Sequence, residues 1–79
     1  MIKVDIYMAD FSEIHKAILF KGNKIENGSV ESEEEAKALL ENERVLYFCC
    51  EGMQGTLVTS KIMEYFISED EIKLLDGGY

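Results

Sequence analysis

Apolar and polar positions alternate at the start of the chain. Ile2, Val4 and Ile6 fall on one side of an extended segment dense in β-branched and aromatic residues, which predicts a strand over Ile2 to Met8. The polar stretch Asp10 to His15 reads as one helical turn. The apolar run Ala17 to Phe20 reads as a second strand, closed by the turn-like Lys21-Gly22-Asn23-Lys24. Periodicity leaves Ile25 to Val30 open between strand and loop. The clearest helix start is Ser32 with Glu35 three residues on, the spacing of a capping box, with Val30 and Ala36 close to the positions of a hydrophobic staple. Glu33, Glu34 and Glu35 then occupy the first turn, where negative charge suits the helix dipole. A helix from about Glu33 to Glu41 turns Ala36, Leu39 and Leu40 inward and leaves its acidic run as a solvated face.

From Val45 the pattern changes. The continuous apolar run to Cys49 and Cys50 reads as a strand, Val45 to Cys49, buried on both faces, as strands of parallel sheets are. Beyond it, Val58, Ile62, Met63, Phe66 and Ile67 are spaced as a broad helical stripe, which predicts a helix starting near Gln54 to Thr56 and ending at Ile67. A last strand, Glu71 to Leu75, precedes Asp76-Gly77-Gly78. Two strands joined across a helix imply a right-handed βαβ crossover. The expected fold is therefore α/β: a small, mostly parallel sheet with flanking helices, built from Ile2 to Met8, Ala17 to Phe20, Val45 to Cys49 and Ile72 to Leu75.

Composition narrows this picture. The 79 residues suffice for one core, so residues 1–79 are expected to form one domain whose small core leaves room for a partner chain, or a second copy, to add burial. With 16 acidic against 8 basic residues the net charge is -8, a field that repels nucleic acid and anionic lipid. No secretory leader and no spanning apolar run are evident, and a cytoplasmic protein is expected. Cys49 and Cys50 are adjacent and unsuited to clamping distant segments, so both are expected as free thiols. The single histidine, His15, cannot build a multi-histidine metal site, and no metal or cofactor is expected.

The candidate chemistry lies in the loop after Cys49. Residues Cys50, Glu51, Gly52, Met53, Gln54 and Gly55 include two glycines and lead, on this reading, from a strand end into a helix start. Ligand sites of open α/β sheets favour that position. Backbone N–H groups curling around Cys49 Sγ, with a helix N-terminus behind them, would favour a thiolate, a persulfide or an oxyanion. The plain alternative is that both cysteines are small hydrophobes filling a strand end.

The stretch Val45 to Tyr79 resembles the second half of a rhodanese-like domain: a strand ending in a cysteine, a glycine three residues on, a helix, and a strand closing in Gly-Gly. The resemblance implies that Cys49 carries a persulfide and that residues Cys50 to Gly55 cradle the transferred sulfur. Asp76, Gly77 and Gly78 would form the closing turn. Upstream, Asp5, the pair Asp10-Phe11 and His15 match the family's early aspartate, acidic-aromatic pair and histidine. Tyr7 stands where the family usually has arginine, and the loop holds Glu51 and Gln54 but no cation. The implied function is sulfur transfer through Cys49, from a protein or polysulfide donor rather than thiosulfate, with a sulfur donor or acceptor protein as partner. A catalytically inactive rhodanese-like binding or regulatory module is the first alternative. Cys49-x-x-Gly52-Met53, followed by Thr56-Leu57-Val58 and Lys61, is also similar to the phosphocysteine loop of sugar-phosphotransferase IIB domains. Cysteine phosphatase chemistry is disfavoured, because Gly55 and Thr56 stand where a phosphate-clamping arginine is needed.

Overall fold

The computed structural model describes residues 1–69. In chain order it has β1 (Ile2–Met8), β2 (Glu13–Leu19), α1 (Glu33–Asn42), β3 (Val45–Cys50), β4 (Met53–Val58) and β5 (Ile62–Glu69), with short 3₁₀ turns at Lys21–Asn23, Ile25–Asn27 and Thr59–Lys61. The strands form one five-stranded sheet in the order β4-β3-β2-β1-β5. Every pairing in it is antiparallel. The expected mostly parallel sheet with flanking helices is thus overturned: the fold is mostly sheet, with one α-helix among the described residues. The strand expected over Glu71 to Leu75 and the closing Asp76-Gly77-Gly78 lie outside them.

The reversal has a local cause at Glu51-Gly52. Both residues have positive φ, 53° and 80°, and Cys50 pairs with Met53 across them. That is the two-residue turn whose twist matches a hairpin. The chain therefore folds back on β3 as β4 instead of entering a helix. Past it, the apolar spacing that imitates a helix mixes both faces of the strands, since Ile62 and Ile67 pack against the core whereas Val58, Met63 and Phe66 are exposed, and a β-bulge breaks the strand's own alternation. Tyr7 pairs with Glu64 but Met8 pairs with Ile62, so Met63 is skipped. The skip changes the phase of the strand, and Ile62, Tyr65 and Ile67 all pack against the core despite their uneven spacing. Thr56, Val58, Ile62, Tyr65, Phe66 and Ile67 are residues that favour strands.

A second bulge explains the expected helical turn at Asp10 to His15, much of which is strand. Val4 pairs with Ala17 and Ile6 with Ile14, so β2 carries one extra residue. Lys16 takes up the difference at φ 58°, and its N–H donates to Asp5 Oδ1 at 2.8 Å. A left-handed lysine is strained where glycine is not. Lys16→Gly is expected to raise stability by about 0.4–1 kcal/mol, read from urea unfolding. An unchanged or lower midpoint would remove the strain assignment.

The sheet cannot be flat. From the register, a flat sheet would put Val58 and Ile62 roughly 35 Å apart by strand rise and spacing, whereas the four peptide steps joining them span at most ~14 Å. The sheet therefore coils until its edges approach. The 3₁₀ turn Thr59–Lys61 bridges the gap: Thr59 N–H donates to Arg44 O at 2.9 Å, and Ala9 N–H donates to Lys61 O at 2.8 Å. The Thr59 hydroxyl adds a bond to Glu43 O.

Inside the coil lie Ile2, Val4, Ile6, Leu19, Leu46 and Leu57, with Val30, Ala36, Leu39 and Leu40 from α1 and its approach. The helix starts and faces inward as its sequence requires: Ser32 Oγ accepts the Glu35 N–H at 3.1 Å, and Ala36, Leu39 and Leu40 are buried. The Glu35 carboxylate reaches back to the Glu31 N–H, at 2.7 Å. Burial of β3 is one-sided, in contrast to the expected two. Leu46 is buried, whereas Val45 and Tyr47 are each 42% exposed. Where β2 leaves the sheet, the Asn23 side chain continues the ladder, donating to Val45 O at 2.7 Å and accepting from Tyr47 N–H at 3.1 Å. No helix among the described residues is long and apolar enough to cross a membrane.

Candidate functional site

The β3–β4 hairpin places the thiol-loop residues along a strand ladder. Cys49 sits opposite Gln54, and Cys50 opposite Met53. In such a ladder N–H groups lie in the plane of the sheet while side chains project from it. The N–H groups of Met53, Gln54 and Gly55 therefore do not converge on Cys49 Sγ, and no helix begins after them. The anion cradle expected over residues Cys50 to Gly55 is replaced by a turn and a strand.

The two cysteines part company, because successive strand residues face opposite sides. Cys49, also paired with Ile18 of β2, shares the outer side with Tyr47. Cys50 turns to the inner side with Leu46 and Phe48, and its thiol donates to His15 O at 3.1 Å. Both thiols are free and half-buried. His15 thus meets Cys50 through its backbone, and the imidazole is engaged elsewhere: Nε2 lies 2.9 Å from Glu13 Oε1 and Nδ1 lies 3.8 Å from Asp5 Oδ1. The Tyr7 ring meets the His15 ring edge-on at 5.8 Å. Asp5 and His15 are brought together, then, with neither side chain bonded to Cys49 among the described residues.

Asp10-Phe11 forms the β1–β2 turn. Ser12 donates both its hydroxyl, at 2.6 Å, and its N–H, at 3.0 Å, to Asp10 Oδ1, which holds that carboxyl below the ordinary aspartate range. The turn presents Phe11 at φ 71° with 85% of its surface exposed.

What the hairpin does build is a cleft. Between the start of β2 and the hairpin lies an open space of about 380 Å³, lined by Ile14, Phe48, Cys50, Met53 and Gly55, with Glu13, His15, Glu51 and Gln54 around them. That volume is in the range of small-ligand sites. Phe48 and Gly55 are cross-strand partners. The ring edge packs so closely on the glycine that a Cβ there would lie 3.0 Å from Phe48 Cζ. The bulge in β2 keeps Ile14 on the inner side, where it packs against the core. The Glu51 carboxylate stands on the turn and has no ion-pair partner among the described residues. A second depression of about 350 Å³, beside Asn23, has Ile25 and Tyr47 as its apolar lining, and both are exposed.

Of the residues singled out from the sequence, Cys50, Glu51, Met53, Gln54 and Gly55 gather at the first cleft. Cys49 faces elsewhere, and Gly52 shapes the turn. Sequence reasoning missed Glu13, Ile14 and Phe48. The signal that could have found Phe48 and its partner is Glu-Gly read as a hairpin turn, from which the pairing of Phe48 with Gly55 follows by counting. Among the described residues no three or more His, Cys, Asp or Glu side chains are grouped to hold a metal ion.

No protein-family model, no characterised protein and no solved structure matches this chain significantly. The resemblance to rhodanese-like domains therefore rests on the residues that carry it, in the loop, at Asp76-Gly77-Gly78 and at Asp5, Asp10-Phe11 and His15, and the mostly parallel sheet expected with it is not the fold of the chain.

Proposed function

We propose that this chain is a non-catalytic binding module that holds its ligand in the cleft between β2 and the β3–β4 hairpin. The observation that carries this reading is the construction of that cleft. Three separate elements contribute apolar lining, namely Ile14 from β2, Phe48 and Cys50 from β3, and Met53 and Gly55 from β4. Gly55 lets the Phe48 ring lie against β4, where a Cβ would meet it at 3.0 Å. Met53, 73% exposed, supplies a soft and adaptable wall. Nothing in this arrangement needs a nucleophile. The Cys50 thiol already donates to a carbonyl, and Cys49 lacks the convergent donors that sulfur transfer through a persulfide would use.

The test separates binding from sulfur transfer. Titration with small phenyl- and indole-bearing fragments is expected to shift the amide resonances of residues 14, 48, 50 and 53–55 together in heteronuclear NMR. Incubation with polysulfide is expected to leave the intact mass unchanged. A gain of one sulfur that disappears in Cys49→Ala, with no fragment binding, would return the weight to sulfur transfer.

A further inference from the structure

We infer that the natural occupant of this cleft is a basic segment of another protein, in which an apolar side chain is flanked by lysine or arginine. The inference rests on the cleft being the binding site and deepens that reading by naming the chemistry of the partner.

The argument is one of charge against shape. The apolar lining accepts a hydrophobic side chain, but the rim is acidic. Glu13 stands at one side and Glu51 at the other, and no lysine or arginine lines the space. His15 Nε2, 2.9 Å from Glu13 Oε1, engages one oxygen of that carboxylate, so Glu51 is the rim charge with no side-chain partner among the described residues. Glu51 sits on the turn with its charge unmatched by any ion pair among the described residues. A ligand that buries its apolar part here brings its flanks beside two carboxylates, and a cation at each flank is what those positions favour.

Charge also discriminates among the occupants the chain itself could offer. Residues 70–79 carry Asp70, Glu71 and Asp76 against Lys73, so that segment is anionic and the rim repels it. A second copy is disfavoured in the same way, since each carries a net charge of -8. Nucleic acid and anionic lipid are repelled for the same reason. A basic polypeptide is attracted by the whole molecule at long range and matched by the rim at short range.

The experiment uses three capped hexapeptides. The first has a central Leu-Phe flanked by two lysines on each side. In the second the flanks are glutamates, and in the third the centre is Gly-Gly between the same lysines. The Leu-Phe peptide with lysine flanks is expected to shift the amides of residues 13–15 and 48–55, with an affinity that falls steeply as salt is raised. It should bind about tenfold or more tightly than either control. Glu13→Gln combined with Glu51→Gln is expected to weaken it by about three- to tenfold and to flatten its salt dependence.

Equal binding of the glutamate-flanked peptide would overturn the choice of a basic partner while leaving the cleft as the binding site. So would fragment binding with no shift from any peptide. Equal binding of the Gly-Gly peptide would show that charge alone is read and would also overturn the inference. Absence of both fragment and peptide shifts would remove the binding reading itself.

Discussion

Leu46→Ala is expected to destabilise the chain by about 3–5 kcal/mol, whereas Tyr47→Ala, one residue along the same strand, is expected to cost under about 1 kcal/mol. Leu46 is fully buried and lies opposite Leu57 in the β3–β4 pairing. Truncating it leaves a cavity in the core cluster that also holds Ile2, Leu19 and the buried Ala36, Leu39 and Leu40 of α1. Tyr47 faces outward and is 42% exposed. For a chain of this length the total stability is of order 4–12 kcal/mol, so the first substitution removes about a quarter or more of it. The melting temperature should fall by roughly 15 °C or more. Paired thermal and urea unfolding followed by circular dichroism measures both. Similar losses for the two variants would mean that β3 is buried on both sides, as in a parallel sheet, and would contradict the one-sided packing described above.

That contrast also shows what could be read in the sequence and what could not. The strand Ile2 to Met8 and the helix after Ser32 are legible because their signals are local: partial alternation with β-branched and aromatic residues in the one, a cap with its inward Ala36, Leu39 and Leu40 in the other. The strand from Val45 is legible as a strand, but its apolar outer residues disguise which face is buried. Val45, Tyr47 and Cys49 are as hydrophobic as Leu46 and Phe48, and only the tertiary structure separates them. The start of β2 and all of β5 are disguised by bulges, although Ala17 to Phe20 reads as a strand. An extra residue at Lys16 and another at Met63 change the phase of alternation, so inner positions fall three apart and then two, as at Ile14, Ala17 and Leu19. That break removes the period of two by which a strand is read. Glu51-Gly52 was the decisive ambiguity, since a glycine after a strand suits a hairpin turn and a strand-to-helix loop equally well. The site inherited that error. Cys50, Glu51, Met53, Gln54 and Gly55, expected around Cys49, line one cleft, whereas Cys49 itself faces the outer side and Gly52 shapes the turn.

Gly55→Val is expected to abolish ligand binding in the cleft while the sheet still forms. A Cβ at this position would meet Phe48 Cζ at 3.0 Å, and valine adds two methyl groups beyond it. The Phe48 ring must then swing from its place, and the ring and the new side chain together fill the space that Ile14, Cys50 and Met53 leave open. Crowding of this kind costs about 1–3 kcal/mol. Some of it is recovered, because β-branched residues are favoured in strands over glycine by up to ~1 kcal/mol. The net loss of stability should therefore be modest, well short of that for Leu46→Ala. The effect on fragments and on the lysine-flanked peptide should exceed tenfold, because the volume they need is gone. Gly55→Ala, with the close approach but less bulk, should fall between wild type and Gly55→Val in both measurements. Unfolding curves and NMR titrations on the same samples test the separation of the two effects. Retained binding in a folded Gly55→Val protein would mean that the ligands do not use the space beside Phe48 and Gly55, and the cleft would lose its claim to be the site.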